Sequence, residues 1–253
     1  MRWETLTSAE IGSMDKSLPV LLNLAAIEQH GPHLPLNTDA VIGDHLLSAL
    51  DNRQPGAQLI LPQVKVCCSA HHMDFPGTLS VPHRVLMDYV GSILDSVLAA
   101  GFHTLLIVNS HGGNQAIGQV IVEDFGARHP GCTVALVTWW HLARDAMIEL
   151  SETGPFGTGH ACELETSLMM AAGAIPPDLP LPAGEFHVPT FEWANGSMLH
   201  GAPGSIYRSM RTISGGSGTV GQPDAASLEK GQRITRAVTE KLATVISDLS
   251  SIR

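Results

Sequence analysis

Four short stretches carry side chains that bind metals or move protons. These are Glu28-Gln29-His30 with Asp39 beyond them; His71-His72 ahead of Phe75-Pro76-Gly77-Thr78; His111 inside Asn109-Ser110-His111-Gly112-Gly113-Asn114; and His160 with Glu163 and Glu165. A carboxylate and an imidazole two residues apart in extended chain point to the same side, so Glu28 and His30 can approach one ion or two neighbouring ions together. Asp39 could then bridge, because a carboxylate can hold two metals about 3.5–4 Å apart, the separation used by two-metal hydrolases. Two histidines and three carboxylates would complete a dinuclear set. A lone histidine is more often a surface or hydrogen-bonded residue than a ligand, so the metal reading rests on several strand-end groups converging. Spacing favours Glu163 as the last carboxylate, since His160 and Glu163 share a face at i, i+3 of a regular helix and His160 and Glu165 do not.

These groups need elements to place them. Residues 19–27 form a near-continuous apolar run, the pattern of a strand covered on both faces, with Glu28 at its carboxyl end. A loop over 31–38 leads to a helix predicted for Asp39–Leu50. Residues 58–67 read as a strand broken by Pro62, and His83–Ala100 as a helix ended by Gly101 at the C-cap. Thr104–Val108 is a short buried strand, 109–114 a turn, 115–127 a helix and 132–139 a further strand. Residues 174–221 turn irregular and rich in Pro, Gly and Ser, an excursion over the site or an oligomer contact, before a helix over Pro223–Ser250. The βαβα alternation predicts an α/β fold: a mostly parallel sheet with helices on both faces, its ligand site outside the strands' carboxyl ends, where Glu28 and His111 fall. No repeat or linker divides residues 1–253, so one domain is expected.

Composition narrows the partners. The 253 residues carry 14 Lys and Arg against 24 Asp and Glu, a net charge of -10, which offers no basic footprint to nucleic acid or an anionic membrane. No apolar stretch is long enough to span a bilayer, and the polar first residues do not read as a signal peptide. Cys67, Cys68, Cys132 and Cys162 lack zinc or redox spacing, which suits a reducing cytoplasm. The 13 histidines raise the prior on metal or acid–base chemistry. No nucleotide-binding glycine motif and no G-x-S-x-G elbow is present, so phosphate-cradle and acyl-enzyme readings lack support. Gly112 and Gly113 have the plain explanation of permitting positive φ at a tight turn.

The segments 21–40, 71–81, 107–114, 159–167 and 216–231 together resemble the creatininase (creatinine amidohydrolase) family over nearly the whole chain. The resemblance implies a three-layer α/β/α fold, often hexameric, that hydrolyses a carbon–nitrogen bond in a cyclic amide or another non-peptide amide. It places the metal ligands on Glu28, His30, Asp39, His111 and Glu165, with Asp39 shared by two divalent ions: zinc, manganese or iron. The catalytic histidine falls on His160, and His72 is a second candidate. Choosing Glu165 over Glu163 requires the helix to begin after His160, leaving the histidine in a loop.

The implied chemistry is a metal-bound hydroxide attacking the amide, with His160 shuttling the proton to the departing nitrogen. Trp140 matches one of two tryptophans that creatinine-cleaving members place over substrate, and Gly112 and Gly113 are the other substrate-facing candidates. Creatinine itself is disfavoured. Gly157-Thr158-Gly159 offers no second tryptophan, and Gly113 stands where creatininases carry an acidic residue, so occupancy of one metal site could differ. A small cyclic amide or a formamide is the leading substrate class. The alternatives are a peptidase-like maturation enzyme of the same family and a non-catalytic binding protein on the same scaffold.

Overall fold

The computed structural model describes residues 1–252 apart from Pro155, Glu185, His187, Val188, Thr190 and Asn195. After a short helix α1 (Ser8–Ser13), the chain runs β1 (Val20–Leu24), α2 (Thr38–Arg53), β2 (Leu59–Ile60), α3 (His83–Ala99), β3 (Thr104–Asn109), α4 (Gln115–Arg128) and β4 (Thr133–Thr138). It continues through α5 (Trp139–Leu142), α6 (Arg144–Leu150), α7 (Glu163–Ala171), α8 (Met210–Ile213) and α9 (Leu228–Ser251). The strands form one sheet in the order β2-β1-β3-β4, and every pairing is parallel.

Alternation along the central strands builds two cores. Leu21 of β1 and Leu106 and Val108 of β3 face α2, α7 and α9, packing with Leu46, Leu168 and Leu242. Val20, Leu22 and Leu24 of β1 and Leu105 and Ile107 of β3 face α3 and α4, packing with Val90, Leu94 and Phe125. Strands covered on both faces read as unbroken apolar runs for this reason, and the three layers match the expected α/β/α architecture. α9 presents Ile234, Val238, Leu242, Ile246 and Leu249, all buried, as one stripe at helical spacing. It crosses α7 so closely that a Cβ on Gly231 would stand 1.9 Å from the Ser167 carbonyl oxygen, which fixes α7 relative to the sheet.

Several expected bounds shift. The first strand stops at Leu24 instead of residue 27, because beyond it Ile27 pairs antiparallel with Leu79 and Glu28 donates its N–H to Leu36, turning the chain off the sheet. The predicted strand over 58–67 shrinks to Leu59–Ile60 and a single bridge at Val64, interrupted around Pro62, which has no N–H to donate. The 132–139 strand ends at Thr138, and Trp139 opens α5. Gly101 follows α3 with φ of 92°, the left-handed residue expected after its C-cap. Among the described residues no helix is long and apolar enough to cross a membrane.

Candidate metal centre

The sheet's carboxyl ends deliver the side chains. Glu28 and His30 lie on the loop leaving β1, Asp39 in the first turn of α2, and His111 directly after β3. His71 and His72 lie on the 3₁₀ turn Ala70–His72, and Glu165 is in the first turn of α7. His160 is held in a loop by a two-way backbone bridge with Val220, its N–H donating at 2.9 Å and its carbonyl accepting at 2.8 Å. α7 therefore begins after His160, as the choice of Glu165 requires. Glu28, His30, Asp39, His72, His111, His160 and Glu165 are all buried, while His71 is half-buried.

The donor atoms converge. His30 Nε2 lies 3.2 Å from Asp39 Oδ1, and His111 Nδ1 lies 3.1 Å from Asp39 Oδ2, so the two oxygens of one carboxylate face different histidines. Glu28 divides in the same way, Oε1 being 3.2 Å from His72 Nε2 and Oε2 3.3 Å from His111 Nε2. Yet Glu28 Oε2 and Asp39 Oδ2 are buried and accept no well-formed hydrogen bond. Two ligands of one tetrahedral ion at about 2.0–2.2 Å stand about 3.3–3.6 Å apart, so these spacings suit donors gathered around cations. Glu28-His30-Asp39, His30-His160-Glu165, Glu28-His72-His160 and Glu28-His71-His111 each bring three donor atoms within 4.8 Å of one another. A mixed imidazole and carboxylate set is the chemistry of zinc, manganese and iron.

Electrostatics fit the same picture. Burial pushes the pKa of His30 and His111 down, but the carboxylates outweigh it: Asp39 is the main influence raising His30 to about 9, and Glu28 with Asp39 raises His111 well above its ordinary value. Burial lifts the Asp39 carboxyl, but His30 and His111 win and hold it well below the usual range. Glu165 goes the other way, raised by burial with Asp39's charge adding and His30 opposing. His160 and His72 are kept neutral by burial and by neighbouring imidazoles. A site dense in buried carboxylates that draws protons onto its histidines is one in which a divalent cation competes with protons for the same donors.

Glu163 lies outside the cluster. Its carboxylate accepts hydrogen bonds from Ser151 Oγ at 2.7 Å, from the Glu152 N–H at 3.2 Å, from Thr153, and from buried Lys230 Nζ at 2.5 Å. These bonds tie the start of α7 to the 151–153 loop and to α9. Helical spacing favoured Glu163 on the premise that His160 is helical, and that premise fails because His160 sits in the bridge with Val220. Glu165 points to the other side, where the Ala161 N–H donates to its Oε2 at 2.5 Å and His30 and His160 are its metal-group neighbours.

Above the donors opens a cleft of about 480 Å³ lined by Glu28, Asp39, His111, His160 and Glu165, with Trp140 and Gly112 at its wall. Part of the irregular segment also lines it, including Met198, Ile206, Arg208 and Met210. Gly113 is placed differently from expectation. Neither it nor Gly112 has positive φ, and a Cβ on Gly113 would meet the Cys68 carbonyl oxygen at 2.2 Å, His111 Nε2 at 2.5 Å and His71 Cε1 at 2.9 Å. It is a glycine for want of space.

Sequence reasoning passed over Gln29, although it lies between two candidates. Its Nε2 stands 3.0 Å from His72 Nδ1 and 3.2 Å from His160 Nε2, and its backbone carbonyl oxygen is 2.7 Å from that same His160 Nε2. Of the two contacts at that nitrogen the carbonyl is the shorter and only accepts, which favours the proton at Nε2 and leaves Nδ1, 3.8 Å from Glu28 Oε1, as the site that takes up a proton. Burial pushes the Cys67 and Cys162 thiols up to about 12, which makes them inert packing groups.

A family model described as Creatinine amidohydrolase matches residues 4–246. The mycofactocin precursor peptide peptidase of Mycobacterium tuberculosis is 27% identical over 247 residues, covering 92% of this chain and 86% of the relative. The creatinine amidohydrolase of Pseudomonas putida is 26% identical over 248 residues, 90% and 88% of the two chains. The 3-dehydro-scyllo-inosose hydrolase of Thermotoga maritima is 24% identical over 172 residues, and the match spans 67% of this chain but only 55% of that relative's length. Among solved structures, a creatininase superposes with a TM-score of 0.81 at 22% identity, over 100% of this chain and 98% of the other. A creatininase variant described as of Zn–Zn type reaches 0.79 at 22% identity, over 99% and 98%. A form called Creatininase Mn reaches 0.79 at 21% identity, over 99% of both chains.

Proposed function

The chain belongs to the creatininase family, whose model covers nearly its whole length, and from that premise we propose that it is a dinuclear metal-dependent amidohydrolase acting on a small cyclic amide or formamide. The observation that carries this reading is the division of Asp39, whose two oxygens lie 3.2 and 3.1 Å from histidines of separate donor groups. A carboxylate so placed suits two ions. Glu28, His30, His111 and Glu165 are the other ligands in this reading, and zinc or manganese, named for related structures, is the metal to try first.

A bound divalent pair supplies Lewis acidity, polarising an amide carbonyl and making water available as a nucleophile near neutral pH. The protein's own residues do the rest. His160, neutral and tethered through Nε2 to the Gln29 carbonyl, takes a proton at Nδ1 and returns it to the departing nitrogen. His72 keeps Glu28 Oε1 in place. Trp140, Gly112, Met198, Ile206 and Met210 line the cleft, and its volume suits a small ring. The second reading, removal of a peptide fragment, is favoured by the mycobacterial peptidase relative, which matches most of this chain.

Elemental analysis of protein purified without chelator, repeated on Asp39→Asn, tests the centre: near two ions per chain, falling in the variant, is expected. The loaded enzyme is then offered cyclic amides, formamides and peptides in parallel, which separates the two readings. His160→Ala is expected to keep its ions and lose about 10²–10⁴-fold in rate; loss of an ion would make His160 a ligand instead. No ion after incubation with zinc and manganese would leave a binding protein on this scaffold.

The same proposal includes self-association. Phe186, Phe191, Trp193, Ile206 and Tyr207 are all exposed on the irregular segment, and Phe191 and Trp193 stack with centroids 5.5 Å apart. Such aromatic surface suits a homo-oligomer, a hexamer being the form the family resemblance implies. Four unpaired cysteines suit the cytoplasm.

A further inference from the structure

We propose that His71 is a further protein ligand of the ion that Glu28, His111 and the shared Asp39 would hold. The inference rests on the metal-centre reading above and adds a donor to it. His71 comes from the 3₁₀ turn Ala70–His72, which is pinned on one side by the Ser69 N–H donating to Ser80 Oγ at 2.9 Å and closed by the His72 N–H donating to the Ser69 carbonyl at 2.9 Å. The ring is therefore presented from a fixed backbone. It stacks on His111 with centroids 5.6 Å apart and an interplanar angle of 17°. One donor atom each from Glu28, His71 and His111 lies within 4.8 Å of the others, a span that a small contraction around one ion closes.

Two independent observations point to a ligand there. Glu28 Oε2 is buried and accepts no well-formed hydrogen bond although it stands 3.3 Å from His111 Nε2, a spacing that a shared cation would account for. The neighbouring turn Gly112-Gly113-Asn114 offers no acidic or imidazole donor of its own, and any side chain at 113 would collide with the Cys68 carbonyl and with both rings. The further donor is supplied from the 70–72 turn. His71 also lines the cleft and is half-buried, whereas Glu28 and His111 are buried. Two imidazoles on one ion make this the more nitrogen-rich of the two positions, which favours zinc or cobalt over manganese.

The test uses the full chain, stripped with chelator and titrated with zinc and with cobalt, as wild type, His71→Ala and His71→Gln. Ions per chain are counted by elemental analysis, dissociation constants are read by competition with a chromophoric chelator, and the cobalt form is examined by proton NMR for shifted, exchangeable imidazole N–H signals. Both variants are expected to bind one ion at least on the order of tenfold more weakly, to keep the other, and to lose one exchangeable signal. Millimolar imidazole should restore the lost ion in His71→Ala. Circular dichroism matching wild type confirms that both variants are folded. Two ions with unchanged dissociation constants and an unchanged signal count in both variants would overturn the assignment while leaving the centre intact. A wild-type chain that binds neither zinc nor cobalt would overturn the metal reading and this inference together.

Discussion

The two glutamates at the start of α7 have opposite occupations. Glu165 faces the histidines, whereas Glu163 is spent on Lys230, Ser151 and Thr153. Glu165→Gln is therefore expected to lose metal without unfolding, and Glu163→Gln to keep metal while losing about 1–3 kcal/mol of stability, since Lys230 is left with only the exposed Glu152 carboxylate at 3.0 Å and the Ala225 carbonyl at 2.7 Å. Elemental analysis and urea unfolding separate the two effects. Burial lifts the Glu163 carboxyl, but hydrogen bonds from Lys230, Thr153 and Ser151 outweigh it and hold the pKa below the ordinary 4.5. A depressed carboxylate contributes stability that is present above its unfolded pKa and lost as pH falls through the folded one. The stability gap between wild type and Glu163→Gln should thus be full above the ordinary carboxyl value of 4.5 and close as pH falls through the lower value of the folded chain. A gap independent of pH would remove the ion pair as its cause.

At the scale of elements, the loop entering α7 does the positioning. Ala161 has φ of 52°, a left-handed conformation that a residue with a side chain adopts at a cost, and in that conformation its N–H reaches Glu165 Oε2. Ala161→Val should lower stability by about 1–2 kcal/mol and weaken metal binding, because a β-branched residue resists this φ and shifts the donor of Glu165. Ala161→Gly, which accepts the same φ, should leave metal affinity unchanged. Titration of the two variants checks the pair, and equal affinities would mean that the Ala161 N–H does not set the position of Glu165. The same loop explains why the glutamate assignment was ambiguous in sequence: whether His160 is helical depends on Val220, sixty residues away, whose backbone holds it extended.

For the whole molecule, donor side chains from the ends of β1 and β3, from α2, the 70–72 turn and α7 meet at one end of the sheet, so ions bound there would join elements distant in sequence. Anything that binds only the folded chain stabilises it, by about 2.7 kcal/mol at a hundredfold excess over Kd. Chelation should lower Tm by about 5–10 °C, and added zinc should restore it; an unchanged Tm would mean that the ions hold no elements together. Light scattering is expected to give a mass several times that of one chain. Trp193→Ser with Tyr207→Ser should reduce that mass if the exposed aromatics form the contact.

Much was legible from the sequence. The unbroken apolar runs of β1 and β3 fix strands covered on both faces, the βαβα order fixes a parallel sheet, and strand ends mark where Glu28 and His111 stand, because side-chain periodicity and crossover connections are local rules. The residue types of the donors were equally visible. Only the tertiary structure decided which of them meet: that Glu163 belongs to Lys230 and Glu165 to the histidines, that Gln29 lies against both His72 and His160, and that Gly113 is small because the Cys68 carbonyl and two rings crowd it instead of to bend a turn. Each of those facts depends on contacts between residues far apart in the chain, and no spacing along one segment encodes them.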